Sequence, residues 1–288
     1  NNHGQNIGNV SYVDGVKGQA VHIINSNGST SAKAEQYIDF GNKIKLKDQD
    51  FALSFWYKSD NGVSAGGAMI SNKDFNSGGN PGFNIGNFNT GLRVNFTAQG
   101  SNRRDVYNFA PIDGIWHHVA INFNRSGTID TYLDNEFVKS TDISTDINKS
   151  IDVANFVVGA DGYFKNGLND AYIDEVRVMK RLITTTEIEE YYLPYRLQMK
   201  IEDYTKVLNE AKQEGYDETK IAEFEKVLKE VNEDKVNANA DTMRKLIKKL
   251  TNAFDRFQIT QTPLISFQVL ADVHIDGTDQ DNQSRKNL

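Results

Sequence analysis

The stretch FALSFWYKSD, Phe51–Asp60, decides the fold. Phe51, Leu53, Phe55 and Tyr57 fall on one side of an extended chain, and Ala52, Ser54, Trp56 and Lys58 on the other. Successive side chains of a strand point to opposite faces, so this alternation predicts a strand with one core-facing side. The same period returns in WHHVAINFN (116–124), which groups His117, Val119, Ile121 and Phe123. TIDTYLDNEFV (128–138) reads as two strands around Asp134-Asn135, residues that tolerate the positive φ of a tight hairpin turn. QAVHII, QYIDF, GLRVNF, NFVVG and AYIDEVRVM add further short runs. Many short strands with polar turns and no helices between them predict a β-sandwich rather than βαβ units.

Charge and composition divide the 288 residues into three parts. Residues 1–194 hold 17 Lys+Arg against 22 Asp+Glu and are rich in Gly, Asn, Ser and Thr. Residues 195–260 are balanced in charge and lack proline. Residues 261–288 are a short end behind Pro263 with two positive and four negative charges. Pro194 and Pro263 mark the junctions, where strands and helices commonly stop. The net charge of −7 argues against a general nucleic-acid or membrane-surface binder. The absence of cysteine removes disulfides, thiolate nucleophiles and Cys-ligated zinc. No run of 18 apolar residues suggests membrane insertion. The chain opens at Asn1 without Met or a leader pattern, and the expectation is a piece of a longer exported protein.

After Pro194 the period changes. Leu197, Ile201, Tyr204, Leu208 and Ala211 follow helical spacing, as do Ile221, Phe224, Leu228 and Val231. Met243, Leu246, Ile247, Leu250, Phe254 and Phe257 make a third stripe. Gly215 and the Asn-Ala-Asn-Ala stretch at 237–240 break the pattern into three helices.

The order GVKGQAVHI, YIDFG, FALSFWYK, WHHVAINF, TYLDNEFV, YIDEVRVMKRLITTTEI resembles the laminin-G-like, concanavalin A-like jelly-roll family across most of residues 10–192. Its most specific part is the last: a strand with Ile-Asp-Glu-Val-Arg, an Arg-Leu dipeptide, then a short helix. Thr184 can cap that helix, with Glu187 closing a capping box. The expected fold class is mainly β: a two-sheet antiparallel jelly-roll sandwich over 1–194, followed by a small three-helix module over 195–260. The resemblance implies a carbohydrate or cell-surface ligand and, commonly, a calcium ion. Residues 195–260 resemble the small FIVAR three-helix modules that link domains of secreted bacterial surface enzymes, which implies a spacer.

Glycosidase chemistry is not expected. Asp174 and Glu175 are adjacent, so on a strand they point to opposite faces and cannot flank one glycosidic bond. Asp174 shares its side with Tyr172, Val176 and Val178, which suggests a buried face. A buried carboxylate needs hydrogen bonds or a cation. Asp174 is therefore a candidate ligand for a structural calcium, completed by loop carbonyls and Asn side chains, or else an acceptor of backbone N–H bonds.

For a sugar, the candidates are Trp56, on the side of its strand away from the core, and two loops. NKDFNSGGNPGFNIGNFNTG (72–91) reads as a long Gly/Asn-rich loop carrying Phe75, Phe83 and Phe88. QGSNRRDVYNF (99–109) adds Arg103, Arg104 and Tyr107. Binding residues concentrate on loops that a rigid scaffold positions.

SFQVLADVHIDG (266–277) resembles the first block of calcineurin-like metallophosphoesterases, in which Asp-x-His at a strand end ligates one of two divalent metals. Asp272 and His274, one residue apart, lie on the same side of the chain and can meet one ion. The later blocks of that family are not in this sequence, so this part is expected to be catalytically incomplete. The reading is a binding module and helical spacer from a secreted bacterial multidomain metallophosphoesterase. The alternative is a structural or protein-interaction domain that packs against the phosphoesterase and has no glycan affinity.

Overall fold

The computed structural model describes residues 3–28, 30–59, 66–75, 79–88 and 91–259. Two compact units adjoin in sequence at Tyr195/Arg196.

In the first unit the strands are β1 (Gln5–Ile7), β2 (Ser11–Asp14), β3 (Gln19–Ile24), β4 (Tyr37–Asp39) and β5 (Phe51–Lys58). Next come β6 (Gly67–Ser71), β7 (Gly82–Phe88), β8 (Gly91–Thr97), β9 (Arg104–Val106) and β10 (His117–Phe123). β11 (Thr128–Leu133), β12 (Glu136–Asp142), β13 (Val157–Val158) and β14 (Asp170–Met179) complete the described set. They form two antiparallel seven-stranded sheets, ordered β1-β4-β13-β6-β7-β8-β9 and β12-β11-β10-β5-β14-β3-β2. This is the expected jelly-roll sandwich.

The core lies between the sheets and follows the alternation of the sequence. Phe51, Leu53, Phe55 and Tyr57 of β5 meet Phe83 and Ile85 of β7, Val94 and Phe96 of β8, and Val119, Ile121 and Phe123 of β10. Phe51 and Phe123 stack with centroids 4.2 Å apart, and Phe83 sits 5.7 Å from each of them. The β11–β12 turn is built as expected, with Asp134 and Asn135 at φ 48° and 73°.

β5 is buried on both faces. Its second face is covered by the segment that ends the sandwich. Ala52 and Ala120 are small enough to admit Ile183 and Ile188. Asn122 fixes the approach: its amide donates to the Ile183 carbonyl at 2.8 Å and accepts from the Ile183 N–H at 2.9 Å.

Three expectations are corrected. Residues 72–91 are not one long loop, because 82–88 form β7. Gly and Asn are poor strand formers, but Phe83 and Ile85 bury in the core and tertiary packing outweighs propensity. Pro194 does not end a helix: it lies inside α1 (Thr185–Gln213), which continues past the unit boundary. Asp174 is buried as expected, but on the side of the sheet away from the inter-sheet core, paired with Trp56 as Tyr172 is with Lys58, and a bulge between Asp174 and Arg177 turns Val178 back toward that core. Glu175, at the bulge, has φ 50°, a left-handed conformation uncommon outside glycine.

The second unit contains the remainder of α1, then α2 (Glu218–Asp234) and α3 (Ala240–Ile259). The three apolar stripes meet in one core around Phe224, with Tyr204 and Phe254 stacked 3.7 Å apart.

Candidate functional site

The outer face of the first sheet carries a row of polar groups. In β8, Leu92, Val94 and Phe96 take the core side, which leaves Arg93, Asn95 and Thr97 on the other. In β7, Gly82, Asn84 and Gly86 lie opposite Thr97, Asn95 and Arg93 respectively. Register therefore lines up one transverse row, Ser71–Asn84–Asn95–Asp105, across β6, β7, β8 and β9.

Asp105 organises the rim. Arg103 grips it with two hydrogen bonds of 2.6 and 3.0 Å, the Asn95 amide donates at 2.9 Å and the Tyr107 hydroxyl at 3.1 Å. Arg93 lies 3.7 Å away. Burial alone would raise this carboxyl, but its Arg103 and Asn95 hydrogen bonds and both guanidinium charges outweigh it and hold Asp105 below the usual range. The Arg93 guanidinium lies 5.4 Å from the ring centroids of both Phe75 and Tyr107.

Lys73 reaches in from the segment after β6. Its side chain is fully buried and its ammonium donates to Thr97 Oγ1 at 2.7 Å. Burial, reinforced by Arg103, pushes that ammonium down to about 7. Gly82 makes this approach possible: a Cβ there would sit 2.7 Å from the Lys73 Cβ.

Of the expected ligand residues, the structure gathers Phe75, Arg103 and Tyr107. Arg104 turns away, bonding the Asn102 and Arg103 carbonyls and Thr145. Phe88 ends β7, and its side chain lies outside the described residues. Trp56 is corrected: it has no exposed surface, lying against Tyr192 (5.8 Å, interplanar 9°) and Tyr195 (6.1 Å, edge-on) of α1. An indole so enclosed offers no face to a ligand. Arg93, Asp105, Asn84, Asn95 and Lys73 were not anticipated. GLRVNF held a signal, since strand alternation already places Arg93 and Asn95 on the same side.

Asp174 takes the second of its two expected roles, that of an acceptor of backbone N–H bonds. One carboxylate oxygen accepts from the Lys17 N–H at 3.1 Å and the other from the Glu175 N–H at 2.7 Å. Burial raises its carboxyl against the pull of these N–H groups. With a backbone N–H on each oxygen, Asp174 works as a pin between the β2–β3 turn and the β14 bulge. Glu175 is engaged separately, by Arg177 and by the Tyr195 hydroxyl at 2.6 Å. Among the described residues no three His, Asp or Glu side chains gather to hold a metal. Asp272 and His274 lie outside the described residues.

The rim can recognise a ligand with an aromatic surface, a half-exposed phenol and a fixed arrangement of donors and acceptors. Asp105, locked by its donors, suits recognition rather than proton transfer.

Among solved structures, the chain is similar to the binding domain of Paraclostridial Mosquitocidal Protein 1, with 17% identity and a TM-score of 0.52 over 66% of this chain and 47% of that one. It is also similar to the receptor-binding domain of the botulinum neurotoxin C/D mosaic serotype, with 15% identity and a TM-score of 0.50 over 66% and 45%. The chain spans about half the length of these structures, and at such identities the likeness is one of fold. No curated protein sequence matches it. Residues 31–189 match the model of the concanavalin A-like lectin/glucanases superfamily, and with more than half its length so matched the chain belongs to that superfamily.

Proposed function

We propose that the sandwich is a non-catalytic carbohydrate-binding module whose ligand site is the outer face of β6–β9. The carrying observation is the Arg93–Asp105–Arg103–Tyr107 cluster: a charged network on a sheet face, rimmed by an aromatic ring that is 51% exposed. Superfamily membership supports the reading, and the similar toxin structures are themselves binding domains.

The helical unit is then a spacer. SFQVLADVHIDG supports a parent that continues into a metallophosphoesterase, with Asp272 and His274 as the first ligands of a divalent metal pair. Export to the cell surface is consistent with a glycan ligand and a cysteine-free chain.

A glycan-array screen of the full chain, run with calcium and with a chelator, tests this. Binding is expected in both conditions, because the contacts of the proposed face come from Arg93, Arg103, Asp105 and Tyr107 themselves. Tyr107→Ala should weaken it about tenfold or more, the loss of an interfacial aromatic. Its melting temperature should fall only modestly, since the Tyr107 ring is half exposed and loses one hydrogen bond, to Asp105. A well-folded chain that binds no glycan would return the sandwich to a structural or protein-interaction role beside the phosphoesterase.

A further inference from the structure

We propose that Asn84 and Asn95 form an inner subsite of this face, and that it accepts a neutral, hydroxyl-bearing sugar residue in preference to an acidic one. The inference rests on the carbohydrate-binding reading above. Asn84 has no exposed surface, and neither its amide nitrogen nor its carbonyl oxygen has a hydrogen-bond partner. Asn95 is equally buried: its nitrogen donates to Asp105 at 2.9 Å, and its carbonyl oxygen is unpaired. The two residues are register partners across β7 and β8. Directly opposed residues have Cβ atoms about 4.5–5.5 Å apart, so one donor and two acceptors without partners share one small region.

Each unpaired buried group costs about 1–3 kcal/mol. Their neighbours are not left so: Ser71 Oγ donates to the Phe83 carbonyl at 3.0 Å, and Lys73 bonds Thr97. An apolar pair at 84 and 95 would avoid that cost. Polar groups that weaken the free protein and satisfy nothing within it are what a binding site retains.

The balance of groups selects the ligand. A hydroxyl both donates and accepts, so it can serve the Asn84 nitrogen and either carbonyl oxygen at once. A carboxylate or sulfate only accepts and would set its charge against two carbonyl oxygens. The nearby cations are already directed elsewhere, Lys73 at Thr97 and both Arg103 and Arg93 at Asp105. Both amides are closed to solvent in this conformation. Tyr107 and Arg103 are the more exposed part of the face, and binding at the inner pair requires the face to open.

Calorimetric titration of the full chain with neutral disaccharides of glucose, galactose and N-acetylglucosamine, and with glucuronic and galacturonic acids, tests the preference. A neutral sugar should bind at least about tenfold more tightly than either acid. Asn84→Leu should lose about tenfold or more of that affinity while its melting temperature holds or rises, because two unpaired groups disappear. Tighter binding of a uronic acid, or unchanged neutral-sugar affinity in Asn84→Leu, would overturn the inner subsite and leave the rim reading intact. No binding of any sugar, neutral or acidic, would overturn the carbohydrate-binding reading itself. Should Asn84→Leu fail to fold, Asn84→Ala, which adds no volume, is read in the same way.

Discussion

His117, at the start of β10, stands between two carboxylates: Nδ1 is 2.7 Å from Asp134 and Nε2 is 3.2 Å from Asp113. Only the imidazolium can donate to both. Burial by itself lowers this group, but hydrogen bonds and charge from Asp134 and Asp113 outweigh it and hold it above its ordinary value. Tyr57 faces it as well, its ring 5.9 Å away, with its own phenol raised by burial and by the same two aspartates. A raised folded-state value means that the stabilisation is complete below the unfolded value of about 6.5 and is lost as pH rises through the folded one. Urea unfolding across pH 5–9 should show that decline in the wild type and a flatter profile in His117→Gln. Parallel profiles would mean that the contact is not an ion pair. Asp134 carries two duties, since it also supplies a positive-φ residue of the hairpin turn, and only the turn could be read from the sequence.

Among the elements, α1 shows how local chemistry and long-range packing divide the work. Its start is locally encoded. Glu187 accepts from the Thr184 N–H at 2.9 Å, Thr184 Oγ1 accepts from the Glu187 N–H at 3.2 Å, and Arg181 holds the Glu187 carboxylate. Arg181 first, and then the Thr184 N–H, pull that carboxyl down to about 2. Thr184→Ala should cost about 1 kcal/mol, measured as a lower urea midpoint of the tryptophan signal. An unchanged midpoint would show that packing alone seats the helix. The course of α1 after that is not local, since it passes Pro194 despite the missing N–H. β7 gives the complementary lesson: GFNIGNF has weak strand propensity, and its pairing with β6 and β8 over a buried Phe83 and Ile85 makes it a strand.

Across the whole molecule, both tryptophans, Trp56 and Trp116, lie in the sandwich unit, whereas most of the helix belongs to the second. Tryptophan fluorescence therefore follows the sandwich, while the helical part of the far-ultraviolet dichroism is weighted toward the second unit. Phe51→Ala, which empties a place in the central aromatic stack, should destabilise the sandwich by about 3–5 kcal/mol and lower the fluorescence midpoint. Identical shifts in both signals would mean that the units unfold as one. The two-sheet sandwich, the β11–β12 turn, the capping box and the three helical stripes were legible from the sequence, because each rests on periodicity or on chemistry within a few residues. The candidate site was legible only in part. Phe75, Arg103 and Tyr107 stood out as residue types beside loops, but Asn84, Asn95, Asp105 and Lys73 acquire meaning only through register across four strands. Trp56 shows the limit most clearly: alternation correctly put it on the face away from the core, and nothing local could say that Tyr192 and Tyr195, more than a hundred residues later, would close over it. The sequence by itself determined which side each residue takes. The tertiary structure alone decided what meets that side, because sheet register and helix docking are set by the summed burial of residues far apart in the chain.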